Sequence, residues 1–211
     1  MKNTKKALLM TLCAVMLVAA SVMGTLAYLQ DTSEVAKNTF TVGNVQIKLD
    51  ETDVDLYGVK DGDKRVTENE YKLIPGHSYI KDPMVTVEAG SEEAYIRMIV
   101  TISDMADVKA VFGNDFLPQN FVTGWDPEVW ETTGKIIETN DTAVYEFRYY
   151  KTVNTLDDKE LELEPLFKTI EMPDEVENDA LLTLEEMEIQ VVAHAIQADG
   201  FADAEAAWGE F

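Results

Sequence analysis

Polar and apolar residues alternate along three stretches of the chain, at positions 95–103, 143–153 and 187–196. A period of two is typical of β-strands that bury one face. We therefore predict one strand in each stretch. The residues expected to face the core are Ile96, Met98, Val100 and Ile102 in the first strand, Ala143, Tyr145, Phe147 and Tyr149 in the second, and Met187, Ile189, Val191, Ala193 and Ala195 in the third.

Shorter apolar runs predict further strands at 84–88, 135–139 and 166–172. The stretch NTFTVGNVQIKL, at 38–49, reads as a first strand whose alternation slips at Gly43, which indicates a bulge or a bend. Turns are predicted where Pro75 precedes Gly76 and where Asn140 precedes Asp141.

Two segments have a helical pattern instead. Asp104 is placed to cap a helix over 105–112 that Gly113 ends, and the C-terminal DAEAAWGEF predicts a short amphipathic turn under Trp208. Two long polar segments, 52–70 and 154–164, are predicted to be loops, either functional insertions or mobile.

Many short strands separated by turn signals predict a mostly β protein. We expect an antiparallel sandwich of the jelly-roll or immunoglobulin-like kind, with one or two short helices. The 211 residues suffice for one such domain, which we place at 28–211 with an N-terminal arm at 28–38.

The first 27 residues resemble an export signal. Three lysines precede an apolar run from Ala7 to Val22, and the small residues Thr25 and Ala27 stand three and one positions before a predicted cut between Ala27 and Tyr28. An uncleaved membrane anchor is one alternative, because the apolar character continues to Leu29. A lipoprotein signal at Cys13 is another, although Cys13 lies inside the apolar run.

The charge of the chain limits its partners. The formal net charge is −23, and the segment after the predicted cut carries −26, from 14 Lys and Arg against 40 Asp and Glu. Nucleic acid and anionic lipid would repel such a surface, so we expect neither as a partner, and membrane contact only through an uncleaved signal. Cys13 is the single cysteine, so the segment after the predicted cut has no disulfide. The acidity fits solubility outside the cell or a calcium-loaded surface.

The sequence offers little catalytic chemistry. His77 and His194 each have a structural explanation, and the chain contains no HExxH, no GxSxG and no glycine-rich phosphate loop. The acidic stretch from Asp53 to Asp63 superficially resembles a calcium loop, but Tyr57 occupies a ligand position and Lys64 stands where the motif needs glutamate. We expect a solvated loop, no catalytic residues and no cofactor, with adventitious calcium as the alternative.

Three stretches resemble one family. GTLAYLQDTSEVAKNTFTVGNVQIKL, LIPGHSYIKDPMVTVEAGSEEAYIRMIVTIS and the late AHAIQADGF are similar to the camelysin/TasA family of Gram-positive bacteria, which is exported with a SipW-type signal peptide. The resemblance covers the signal, the first half of the domain and the last strand, and does not extend to 114–184.

The resemblance implies a secreted jelly-roll protein that assembles into fibres of the biofilm matrix, with copies of itself or a related matrix protein as partners. In that mechanism, called donor-strand exchange, the segment freed by signal peptidase adds as a strand to the next subunit. Here 28–38 would be the donor, anchored by Tyr28, Leu29 and Val35.

Two other functions stay open. The camelysin name implies a metallopeptidase, for which this sequence provides no zinc motif. A monomeric surface adhesin or binding module could use the acidic loops, with Tyr145, Tyr149 and Tyr150 as aromatic contacts; core packing and edge cover are the alternative role of these tyrosines.

Overall fold

The structure is a computed structural model that describes residues 39–41, 44–155, 159–184 and 187–211. The predicted signal peptide at 1–27 and the predicted arm at 28–38 lie outside the described residues. The same holds for the four residues assigned to cleavage and strand donation, namely Ala27, Tyr28, Leu29 and Val35.

Twelve strands and three α-helices make up the described chain. The strands are β1 Thr39–Thr41, β2 Val45–Val54, β3 Lys60–Val66, β4 Ser78–Ile80, β5 Met84–Val87, β6 Ala94–Ser103, β7 Val122–Thr123, β8 Trp130–Glu138, β9 Thr142–Tyr149, β10 Leu161–Glu162, β11 Thr169–Glu171 and β12 Ile189–Gln197. The helices are α1 Met105–Phe112, α2 Asn178–Leu181 and α3 Ala204–Gly209, and Pro118–Asn120 and Leu182–Leu184 form single 3-10 turns.

The strands form three antiparallel sheets. One has the order β1-β2-β5-β10 with β3 paired to β2, the second has the order β12-β6-β9-β8, and the small third has the order β4-β11-β7. Residues of the two larger sheets, such as Val85 and Met98, belong to one buried cluster. This arrangement confirms the predicted fold class, a mostly β antiparallel sandwich with a few short helices.

Alternation along the chain produces this core directly. Every second residue of β6 is buried, including the four predicted, and β6 lies inside its sheet between β12 and β9. The core faces of β9 and of Val191, Ala193 and Ala195 in β12 are also confirmed. Burial of each aliphatic side chain of this kind stabilises the folded state by about 1.5–3 kcal/mol.

The C-terminal helix α3 covers the outer face of the second sheet. The carboxylate of Asp203 accepts a hydrogen bond from the backbone N–H of Ala206 at 2.9 Å, which starts the helix. Trp208 then packs with Ile196 in a second buried cluster. Consequently His194 is buried as well, although it points away from the main core.

Three predictions for the first sheet are wrong. The segment 154–164 is not loop throughout, because Leu161–Glu162 forms β10 and pairs with β5. The stretch 38–49 is not one strand: β1 and β2 pair antiparallel with Thr41 opposite Val45, so the chain reverses there, and Asn44 has a φ of 51°. The segment 52–70 is not a loop, because β2 continues to Val54 and pairs with β3. The exposed side chains of β3 give no alternating pattern, so the strand depends on its backbone ladder.

The remaining elements differ in their bounds. Three α-helices are described instead of one or two, β8 begins earlier than predicted, and β11 is shorter. Gly113 ends α1 with a φ of 97° as predicted, but Asp104 has a φ of 51° and its side chain makes no capping hydrogen bond. Among the described residues, no helix has the length and apolar character needed to cross a bilayer.

Candidate partner-binding groove

Two strand edges, one from each large sheet, lie side by side. In the described ladders, Lys48, Leu49 and Asp50 of β2 pair only with β5, because β1 pairs with 45–47 and β3 with Glu51, Thr52 and Val54. The strand β12 pairs with β6 along its whole length and is the last strand of its sheet. It lies against β2 and β1. Open edges of this kind accept an added strand.

A groove of about 1370 Å³ lies between these edges. Its walls carry apolar side chains from both sheets and from the segment around α2: Leu49, Leu73, Met172, Leu181, Met187 and Val191. The exposed side chains of Leu56 and Leu182 extend the apolar surface to the rim. Small-molecule pockets usually measure about 300–1,000 Å³, so the size and the bordering strand edges favour an extended peptide segment as occupant.

One wall of the groove is the segment 67–74, which two tyrosines hold in place. The hydroxyl of Tyr71 donates to the carbonyl of Ile80 at 3.0 Å. The hydroxyl of Tyr79 donates to the carbonyl of Lys72 at 2.7 Å and accepts from the N–H of Ile74 at 2.7 Å. Burial, and then the charge of Glu51, raise the pKa of Tyr71, so its hydroxyl stays protonated as a donor.

Charged residues form the floor of the groove. Lys81 and Glu51 are both buried and paired, with Nζ 2.7 Å from Oε2. The amide of Asn69 donates to the other oxygen of Glu51 at 2.9 Å. A buried pair of this kind is costly to break, because removing one partner leaves an uncompensated charge.

A second ionic cluster joins β3 to the start of β5. Arg65 donates to the carboxylate of Asp50 and, at 3.2 Å, to that of Asp82. Thr52 donates to Asp82 from its backbone N–H at 2.7 Å and from its hydroxyl at 2.8 Å. Burial lowers the pKa of Arg65, but these two carboxylates outweigh it and raise the pKa overall. This cluster fixes β3 next to the groove.

The two histidines lie in different places, His77 just before β4 and His194 within β12, and they have separate partners. Nε2 of His77 contacts the carbonyl of Tyr57 at 2.8 Å, and its ring packs edge-on against Tyr79. Nδ1 of His194 accepts from Arg97 at 3.1 Å, and its ring stacks on Phe211. These contacts agree with the structural roles predicted for both residues.

The acidic stretch from Asp53 to Asp63 is a hairpin. The carboxylate of Asp55 accepts from the backbone N–H groups of Tyr57 and Val59, which holds the turn, and Asp63 pairs with Lys60. Among the described residues, no group of three or more His, Cys, Asp or Glu side chains is arranged to hold a metal ion.

The three tyrosines within and just after β9, Tyr145, Tyr149 and Tyr150, divide between core and surface. Tyr145 and Tyr149 are buried, and Tyr149 donates to Glu164 at 2.6 Å. Tyr150 is 47% exposed and packs against Tyr149. The pattern matches the alternative of core packing with edge cover.

Comparison with models of protein families, with characterised proteins and with solved structures finds no match for this chain. The groove therefore has to be interpreted from its own geometry.

The groove residues were not predicted from the sequence. Glu51 and Lys81 are 30 positions apart, and no local pattern connects them. One usable signal was present: in YIKDPMVTV, Lys81 lies between two apolar runs, where a buried lysine needs a charged partner.

Proposed function

We propose that the protein is a structural subunit of an extracellular fibre or matrix, assembled when an N-terminal segment of one copy pairs with the strand edges in the groove of the next. The observation that carries this proposal is the apolar groove between the open stretch of β2 and the edge strand β12. Such a groove offers backbone hydrogen bonds along its borders and apolar contacts at alternate positions of the occupant.

The proposed donor is segment 28–38, which directly precedes β1. Eleven residues reach about 36 Å when extended, and β1 lies beside β12 next to the groove. Leu29 and Val35 have the same parity, so an extended donor points both toward one side, while Tyr28 points to the other. The apolar walls are suited to receive Leu29 and Val35.

Export and cleavage complete the proposal. Removal of 1–27 frees the donor segment, so signal peptidase acts as the switch for assembly and the product is extracellular. The similarity of the N-terminal stretch to the camelysin/TasA family supports this reading, as does the absence of a catalytic motif in the sequence.

The test compares secreted protein beginning at Tyr28 with a form lacking 28–38, by size-exclusion chromatography and electron microscopy. We expect filaments from the first form and monomers from the second, with equal circular dichroism spectra. Equal polymerisation of both forms would contradict the proposal. A persistent monomer from both would favour the adhesin alternative, and casein digestion abolished by a chelator would favour the metallopeptidase.

A further inference from the structure

Three side chains with complementary chemistry meet at the floor of the groove. The carboxylate of Glu51 contacts the amine of Lys81 through Oε2 at 2.7 Å and the amide nitrogen of Asn69 through Oε1 at 2.9 Å. The amine and the amide therefore lie on either side of one carboxylate. The Lys81 and Glu51 side chains are only 9% and 7% exposed.

Hydrogen bonds fix the orientation of the Asn69 amide. Its nitrogen also donates to the carbonyl of Thr52 at 2.9 Å, and its oxygen accepts from the backbone N–H of Val54 at 3.0 Å. These bonds span the irregular register of β2 between Thr52 and Val54. The N–H of Val54 also polarises the amide carbonyl and points at the oxygen that would become negative if a nucleophile added to the carbon.

We propose that Lys81 and Asn69 form an intramolecular amide bond, with Glu51 carrying the protons. Glu51 first takes a proton from the ammonium of Lys81, which leaves a neutral amine. The lone pair of Nζ attacks Cγ of Asn69, and the negative charge that develops on Oδ1 is stabilised by Val54. Protonated Glu51 then delivers a proton to Nδ2, the Cγ–Nδ2 bond breaks, and ammonia leaves while Nζ loses a second proton to Glu51.

The reaction between Lys81 and Asn69 needs no further reactant. One C–N bond forms and one breaks, nothing is oxidised or reduced, and the products are the new amide, ammonia and one proton shared between Glu51 and the ammonia. The groove, which Glu51, Asn69 and Lys81 line, provides the exit for ammonia. All three residues belong to one chain, so this inference does not depend on the proposed assembly.

The surroundings favour the reaction. The ring of Tyr71 lies 5.8 Å from Nζ and covers the amine. Fixed neighbours of this kind react as if at very high concentration, so a slow amide exchange becomes feasible in a folded chain.

Peptide mapping of the secreted protein tests the bond. Trypsin should release 66–72, which contains Asn69, joined to 73–97, because a modified Lys81 blocks cleavage at its own position. The joined species should weigh about 17 Da less than the sum of its two peptides, the mass of one ammonia. Separate peptides ending at Lys72 and at Lys81, both of full mass, would overturn the proposal. A link from Lys81 to the peptide containing Glu51, with loss of water instead, would also overturn it.

Variants separate the roles of the three residues. Glu51→Gln should reduce the linked fraction at least tenfold, while Lys81→Ala and Asn69→Ala should abolish it. Lys72→Arg, a nearby lysine that keeps the tryptic site, is the matched control and should link fully. A Glu51→Gln protein that links as completely as the parent would overturn the role of Glu51. If that variant does not fold, the map of the unaltered protein still decides whether the bond exists.

Discussion

The guanidinium carbon of Arg97 lies 4.3 Å from the ring centroid of Trp208. The ring of Phe211 is 4.5 Å from the same carbon, so two C-terminal aromatic residues cover the charge. Beneath them, Arg97 donates to His194 at 3.1 Å and to Glu146 at 3.4 Å. The C-terminal helix thus covers a polar cluster on the outer face of the second sheet.

Removing that cover should destabilise the protein. We expect Trp208→Ala to lower the free energy of unfolding by about 3–5 kcal/mol, because it deletes a buried aromatic and exposes the polar cluster. Tyr57→Ala is the control, since Tyr57 is 47% exposed, and should change stability by about 0.5 kcal/mol or less. Urea denaturation measures both, and equal effects would show that α3 does not stabilise the sheet.

Protonation of His194 should make the protein less stable as the pH falls. Burial, and then the charge of Arg97, lower the pKa of His194 to about 4. In the unfolded chain the pKa is about 6.5. Between these values the unfolded state binds more protons than the folded state. The contribution of His194 to the free energy of unfolding is therefore fully present above about pH 6.5 and declines as the pH falls toward 4, by up to about 3 kcal/mol.

The difference between the parent and His194→Gln isolates this contribution, because the carboxylates titrate in both proteins. We expect the parent to lose more stability than the variant between pH 6.5 and 4, measured by urea denaturation at each pH. NMR titration of the imidazole provides a direct value. A midpoint near 6.5 in the folded protein would contradict the prediction.

Two glycines with similar backbone angles should respond differently to alanine. Gly58 and Gly62 have φ values of 70° and 80°, so alanine is strained at both. A Cβ at Gly58 would also lie 2.6 Å from Cα of Tyr79, while a Cβ at Gly62 meets nothing within 4 Å. We expect Gly58→Ala to cost about 1–3 kcal/mol more than Gly62→Ala in thermal or urea unfolding. Equal costs would mean that the hairpin moves away from Tyr79 freely.

A charged residue at the rim of the groove should block assembly without unfolding the subunit. Leu182 is 61% exposed and lines the groove, whereas Leu117 is 49% exposed and lies outside it. Asp at either position should change stability by about 0.5 kcal/mol or less. Only Leu182→Asp should raise the protein concentration needed for filaments, at least tenfold by light scattering. An equal effect of Leu117→Asp would indicate a general loss of association.

The alternation of apolar and polar residues predicted those strands in which every second side chain is buried. In β6 the position of each side chain relative to the core follows from its own place in the alternation, so the sequence was sufficient. The strand β3 was not predictable in this way, because its residues are exposed and its order comes from the ladder with β2. The groove is lined by residues far apart in sequence, such as Leu49 and Val191, which no local sequence pattern connects. The burial of His194 likewise depends on Trp208 and Phe211, which follow it in sequence but cover it only after folding.

The charges of β3 also limit nonspecific association between copies of the protein. Five of its seven residues are charged, in the run KDGDKRV, and most of them are exposed. Another molecule that docked alongside the β2–β3 hairpin would have to desolvate lysines and aspartates, which disfavours nonspecific lateral association. Copies of this acidic chain would therefore resist lateral association along β3, and in the described ladders β2 at 48–50 is left as the place where an added strand meets the least resistance.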